Sequence, residues 1–75
     1  MYTIDYDVVR ERLAKVISNS GKSQRQLARE AGVHYTHINS YMNGKGRPGL
    51  LTLVRLCRVL DTSLDVIVLG RKIGA

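Results

Sequence analysis

Apolar residues recur along this chain at helical spacing in five separate blocks. Val9, Leu13, Val16 and Ile17 make the first, and Leu27, Ala28 and Ala31 the second. Val33, Ile38 and Tyr41 follow, then Leu53, Leu56, Cys57 and Leu60, and finally Leu64, Ile67 and Leu69. Recurrence close to the 3.6-residue helical period places each block on one face of an α-helix, so the pattern predicts an all-α, compact five-helix domain that requires no strand.

Local signals mark where the helices begin and end. Asp5 is placed to cap the first, and Asn19-Ser20-Gly21 ends it. Ser23 with Gln26 three residues later fits a capping box, which predicts a second helix from about Gln24 to Ala31, stopped by Gly32. A third is expected from about His34 to Met42. Asn43 to Gly49 is a glycine-rich, basic loop, and Pro48 bars helix until a fourth starts near Leu50 and runs to Leu60. Asp61-Thr62-Ser63 breaks the period again. Ser63 is then placed to cap a short fifth helix ending near Gly70.

Residues 24–43 carry the functional argument. Two short amphipathic segments share one small core around Gly32, and Ala28 is small where the second must cross closely. This is the pattern of a helix-turn-helix. The outward positions of its second helix, Tyr35, Thr36, Asn39, Ser40 and Asn43, are polar and uncharged. Such a face suits the base edges of a DNA major groove, where amides and hydroxyls meet donor and acceptor patterns and a threonine methyl meets that of thymine. The alternative is a neutral solvated face.

Charge strengthens the first reading. The net charge is +6, and from Lys15 to Arg58 eight basic residues face the single acid Glu30. The remaining acids lie toward the two ends. A basic centre implies a polyanionic partner and salt-dependent affinity, with general solubility as the competing explanation. Lys45 and Arg47 follow the third helix directly, and Gly44 and Gly46 let backbone approach a phosphate. The loop thus reads either as a phosphate clamp or as a flexible connector. Gln24 sits where free helix amides favour a phosphate.

Several classes are set aside. Seventy-five residues make one small domain, expected to span residues 1–75 with the helix-turn-helix at 24–43. No apolar run approaches the roughly 20 residues of a membrane span, and the first ten residues lack a signal peptide's basic start and apolar core. A cytoplasmic, nucleoid-associated protein is expected. Cys57, the only cysteine, reads as a small buried hydrophobe. His34 and His37 are three apart without a third ligand nearby, so no metal is expected. No hydrolase elbow or strand-linked phosphate loop is present, so neither an enzyme nor a cofactor is expected. Tyr2 and Tyr6 flank the first helix start, and the sequence leaves open packing on that helix or on a partner.

The chain resembles the lambda-repressor/Cro-like helix-turn-helix DNA-binding family. The resemblance runs through Ser23-Gln24, Leu27-Ala28, Ala31-Gly32-Val33, Ile38, Asn43-Gly44-Lys45, Pro48, Leu53, Leu56, Leu60, Ser63-Leu64-Asp65 and Ile67, covering roughly residues 9 to 70. It implies a transcriptional regulator whose third helix enters the major groove and whose dimers bind palindromic half-sites about one helical turn apart. Carried over by position, it assigns base reading to Tyr35, Thr36 and Ser40, with Asn39 as a further candidate. Phosphate contacts fall to Gln24, His34, Asn43, Lys45 and Arg47.

Three departures from the family pattern stand out. Many members pair an arginine late in helix one with a glutamate before the Asn-Gly, whereas these positions here are Ile17 and Met42. Both have become apolar together, which predicts direct packing. Lys22 replaces the usual apolar residue before the serine cap, and its stem can lie there while its charge joins the phosphate set. Leu51 and Val66 are apolar where the family tends to be polar. With Val68, Leu69 and Ile73 they predict a homodimer interface, assigned to 64–75 and the start of helix four, the alternatives being a slightly apolar monomer surface or extra core.

The combined expectation is a sequence-specific regulator binding double-stranded DNA, a palindromic operator, as a homodimer, without a small-molecule ligand or membrane contact. An antitoxin-like module gripping a partner protein, or a nonspecific nucleic-acid binder, remain the alternatives.

Overall fold

The computed structural model describes residues 4–70, which form five helices and no strand. Tyr2 and Ile73 lie outside the described residues, as does the rest of the expected dimer region beyond Gly70.

Helix α1, Tyr6–Asn19, starts where Asp5 Oδ1 accepts the amides of Asp7 at 3.0 Å and Val8 at 3.4 Å. The Ser20 hydroxyl then donates to Ile17 O at 2.6 Å. Helix α2, Gln24–Ala31, is capped by Ser23 Oγ, which accepts Gln26 N at 3.0 Å. Only half of the expected capping box forms, because the Gln26 side chain donates to Glu30 Oε2 instead. Gly32 ends α2 at φ 70°, a left-handed conformation that glycine adopts without a Cβ clash.

Helix α3, Tyr35–Met42, begins one residue later than expected, with His34 as its cap, and Val33 packs from the turn rather than from the helix. Helix α4, Leu50–Leu60, follows a fully buried Pro48, so this proline fills space as well as preventing an earlier start. Its end is unusual: Asp61 takes φ 54° where glycine would be the common choice.

The fifth element departs from the expected α-helix. Helix α5, Asp65–Leu69, is wound as a π-helix, with Gly70 N–H directed to the carbonyls of Asp65 and Val66. Ser63 Oγ does accept Val66 N, as its capping role requires. The wider winding coincides with a tertiary demand. Arg12 reaches from α1 to donate to Val68 O at 2.9 Å and Ile67 O at 3.4 Å, engaging the carbonyls at this end of the helix.

One side chain from each helix, Leu13, Leu27, Ile38, Leu56 and Ile67, has no accessible surface, and these meet in a single core. Such burial supplies the main stabilisation, about 1.5–3 kcal/mol per large aliphatic side chain. Cys57 is buried among them, as its helical phase predicts. Ile17 belongs to this cluster and Met42 packs half-buried against it. No described helix is long and apolar enough to cross a membrane.

Candidate nucleic-acid interface

The turn at Gly32 sets α3 across α2, with Leu27, Ala28 and Ala31 buried on one side and Ile38 and Tyr41 on the other. Tyr35, Thr36, His37 and Asn43 are left exposed along α3, with Asn39 and Ser40 half-buried beside them. The expected base-reading residues thus share one side of the helix. Tyr35 is tethered across the turn, where the Arg25 guanidinium lies 4.7 Å from its ring centroid. That distance is a cation–π contact, and it gives an exposed aromatic a defined neighbour.

The loop after α3 is built rather than slack. Gly44 N donates to Tyr41 O at 3.1 Å and Lys45 N to Ser40 O at 2.8 Å, winding the chain back over the helix end. Gly44 and Gly46 stand at φ 75° and 78°. Position 46 is doubly constrained, since a Cβ there would lie 3.3 Å from Tyr41 Cε1. Arg10, buried on α1, donates to Gly46 O and pairs with Asp7. Arg47 lies over Tyr6 at 5.4 Å from the ring centroid. Lys45 and Arg47 belong to a loop fastened to both α3 and α1.

The cations and amides differ in how free they are. Lys45 and Arg47 are exposed. Lys22 is engaged in a surface ion pair, its Nζ lying 2.8 Å from Glu30 Oε1. The bond from Lys22, with a second from Gln26, holds the Glu30 carboxyl below its ordinary range. Gln24 and Asn43 are linked to Asn39 through side-chain amides. His34, exposed at the α3 start with no side-chain cap bond, packs edge-on to His37 at 5.7 Å between ring centroids. Among the described residues no group of three metal-ligating side chains occurs.

The residues assigned to dimerisation divide. Leu51 is 63% exposed and its neighbour Leu50 71%, conspicuous for leucines in so small a domain. Val68 and Leu69 join Tyr6, Pro48, Leu50 and Leu64 in an apolar groove of about 430 Å³. Val68 also packs against the core, so the extra-core alternative holds in part there. Leu51 and Val66 are not among the groove's walls.

Sequence reasoning passed over Arg10 and Leu50, and counted Arg25 only as one of the central basic residues. A signal for Arg10 existed: it lies three residues before Leu13 and seven before Ile17, on the same inward stripe of α1. Arg25 and Leu50 carry no such mark, since an exposed arginine or leucine is ordinary.

Two helices crossing at a glycine turn, a neutral polar face on the second and a pinned basic loop behind it define a helix-turn-helix protein. Comparison with known families agrees: a family model described as helix-turn-helix matches residues 11–67, and the chain belongs to that family. It is similar, at 35% identity over 57 residues, to the cryptic phage CTXphi transcriptional repressor RstR of Vibrio cholerae serotype O1 (strain ATCC 39315 / El Tor Inaba N16961), covering 76% of this chain and 51% of the relative. An SPbeta prophage-derived uncharacterized HTH-type transcriptional regulator, YonR of Bacillus subtilis (strain 168), is 35% identical over 60 residues, 80% of this chain and 56% of the relative. The chain thus spans about half the length of the curated relatives it matches.

Proposed function

We propose that this protein is a sequence-specific transcriptional regulator that binds double-stranded DNA as a homodimer, with α3 in the major groove of each half of a palindromic operator. The observation that carries the reading is the pairing of an uncharged polar face on α3 with cations placed on either side of it. Arg25 stands at the α2 start, and Lys45 and Arg47 on the fastened loop. Cations at both flanks supply phosphate contacts that fix register, while Tyr35, Thr36 and Ser40 meet base edges. Gln24, His34 and Asn43 complete the phosphate set. Similarity to a phage repressor favours repression as the outcome of binding.

The exposed Leu51, together with the groove bounded by Leu50, Val68 and Leu69, is the surface assigned to the second copy. Apolar area of this kind is commonly covered in the working assembly. Two measurements test the reading. Titration of a selected duplex and of its scrambled counterpart at one salt concentration separates sequence reading from general nucleic-acid affinity. Native mass measurement of the purified protein gives a dimer if the groove takes a second copy. A monomer that acquires a different protein in its host would point to a partner-gripping module instead.

A further inference from the structure

Three side-chain amides run in a connected row across the seam between α2 and α3. Asn43 Nδ2 donates to the main-chain carbonyl of Asn39 at 2.9 Å and to Asn39 Oδ1 at 3.2 Å. Asn39 Nδ2 in turn donates to Gln24 Oε1 at 3.2 Å. The two ends of an amide are alike in shape, so a row of amides can in principle run in either direction. Here the direction is set by the backbone. A main-chain carbonyl only accepts, so Asn43 must turn its NH2 toward Asn39. That NH2 also faces the Asn39 side chain, which therefore offers its oxygen on this side and its NH2 to Gln24. Gln24 answers with oxygen, and its own NH2 stands at the open end of the row, donating to no described residue.

We propose that Asn39 is a positioning residue: it reads no base, and instead holds the Gln24 amide with its NH2 outward as a preset donor for a DNA phosphate. The proposal rests on the DNA-binding reading above. A bidentate contact to adenine requires one amide to offer oxygen and NH2 to the base at once. Both ends of the half-buried Asn39 amide already have protein partners. A phosphate presents only acceptors, so a Gln24 turned the wrong way would meet it oxygen to oxygen. The row removes that orientation before DNA arrives, and its anchor is the α3 backbone itself.

The test compares wild type, Asn39→Ala, Gln24→Ala and the double variant in the full chain. Each is titrated on the wild-type consensus duplex and on a scrambled one, and each is used to recover sequences from a random duplex pool. Either single substitution should weaken both duplexes alike, by roughly 3- to 10-fold, the value of one hydrogen bond. The double variant should be no weaker than the singles, and Asn39→Ala should recover an unchanged consensus. Ethylating individual phosphates should interfere with wild-type binding at one phosphate per half-site that neither single variant senses. Loss of preference at one base pair in Asn39→Ala, or multiplying effects in the double variant, would overturn the positioning role. A wild type that recovers no consensus would instead remove the DNA reading on which the role depends.

Discussion

Arg10 and Gly46 are 36 residues apart, and the buried guanidinium of the first donates to the main-chain carbonyl of the second. Through this bond α1 fixes the loop between Lys45 and Arg47, although Arg10 itself is turned inward. Arg10→Met keeps the apolar stem and removes the donors. It should weaken binding to every DNA sequence while leaving the slope of log affinity against log salt unchanged. Lys45→Ala should instead lower that slope by about one. Titrations at several salt concentrations separate the two, and a flattened slope in Arg10→Met would make Arg10 a phosphate ligand rather than a tether.

Thr36 and Ser40 carry the expectation of base reading. Replacing either by Ala should relax preference at particular base pairs, each good contact being worth roughly 1–3 kcal/mol. The measurement is affinity for the consensus and its single-base variants. Equal loss on consensus and random DNA would remove the assignment.

Ile17 is buried in the core and Met42 packs half-buried against it. Ile17→Ala, at a buried site, should cost about 2–5 kcal/mol of stability. If the two side chains pack directly, a cycle with Met42→Ala should show coupling of at least about 0.5 kcal/mol in denaturant unfolding. Strict additivity would mean that each packs on other neighbours.

Burial pushes the Cys57 thiol and the Tyr41 hydroxyl up from their ordinary values. For an acid whose folded pKa is raised, the folded state favours the proton. Its contribution is fully present below the unfolded pKa and is lost as pH rises through it toward the folded value. Stability should therefore decline at alkaline pH, beginning in the ordinary thiol range near 8.5–9, and Cys57→Ser or Cys57→Ala should remove the first part of that decline. Alkylation of native protein should be slow and limited by opening of the core. Rapid stoichiometric alkylation at neutral pH would contradict the buried placement.

What the sequence disclosed and what it withheld follow from the range of the forces involved. The starts of α1 and α2 are legible because Asp5 and Ser23 act on amides two or three residues away. The hinge is legible because Gly32 answers a local need for positive φ. By contrast, the end of α5 is engaged by Arg12 from 55 and 56 residues away, and no local period announces a π-helix. The candidate site divides the same way. Its residue types and their helical phase can be read along the chain. The Arg25–Tyr35 stack, the Lys22–Glu30 pair and the direction of the amide row exist only once the elements are packed.

Sequence reading by α3 is the step on which the proposed function turns. Selection of duplexes from a random pool by the wild-type protein, followed by titration of the recovered duplex and a scrambled one at the same salt concentration, tests it most directly. The expected result is a two-fold symmetric consensus with half-site centres about 10 base pairs apart. Binding to the recovered duplex should be tighter than to scrambled DNA by at least about 10³-fold. A pool that yields no consensus, with equal affinity for both duplexes, would contradict sequence reading by α3.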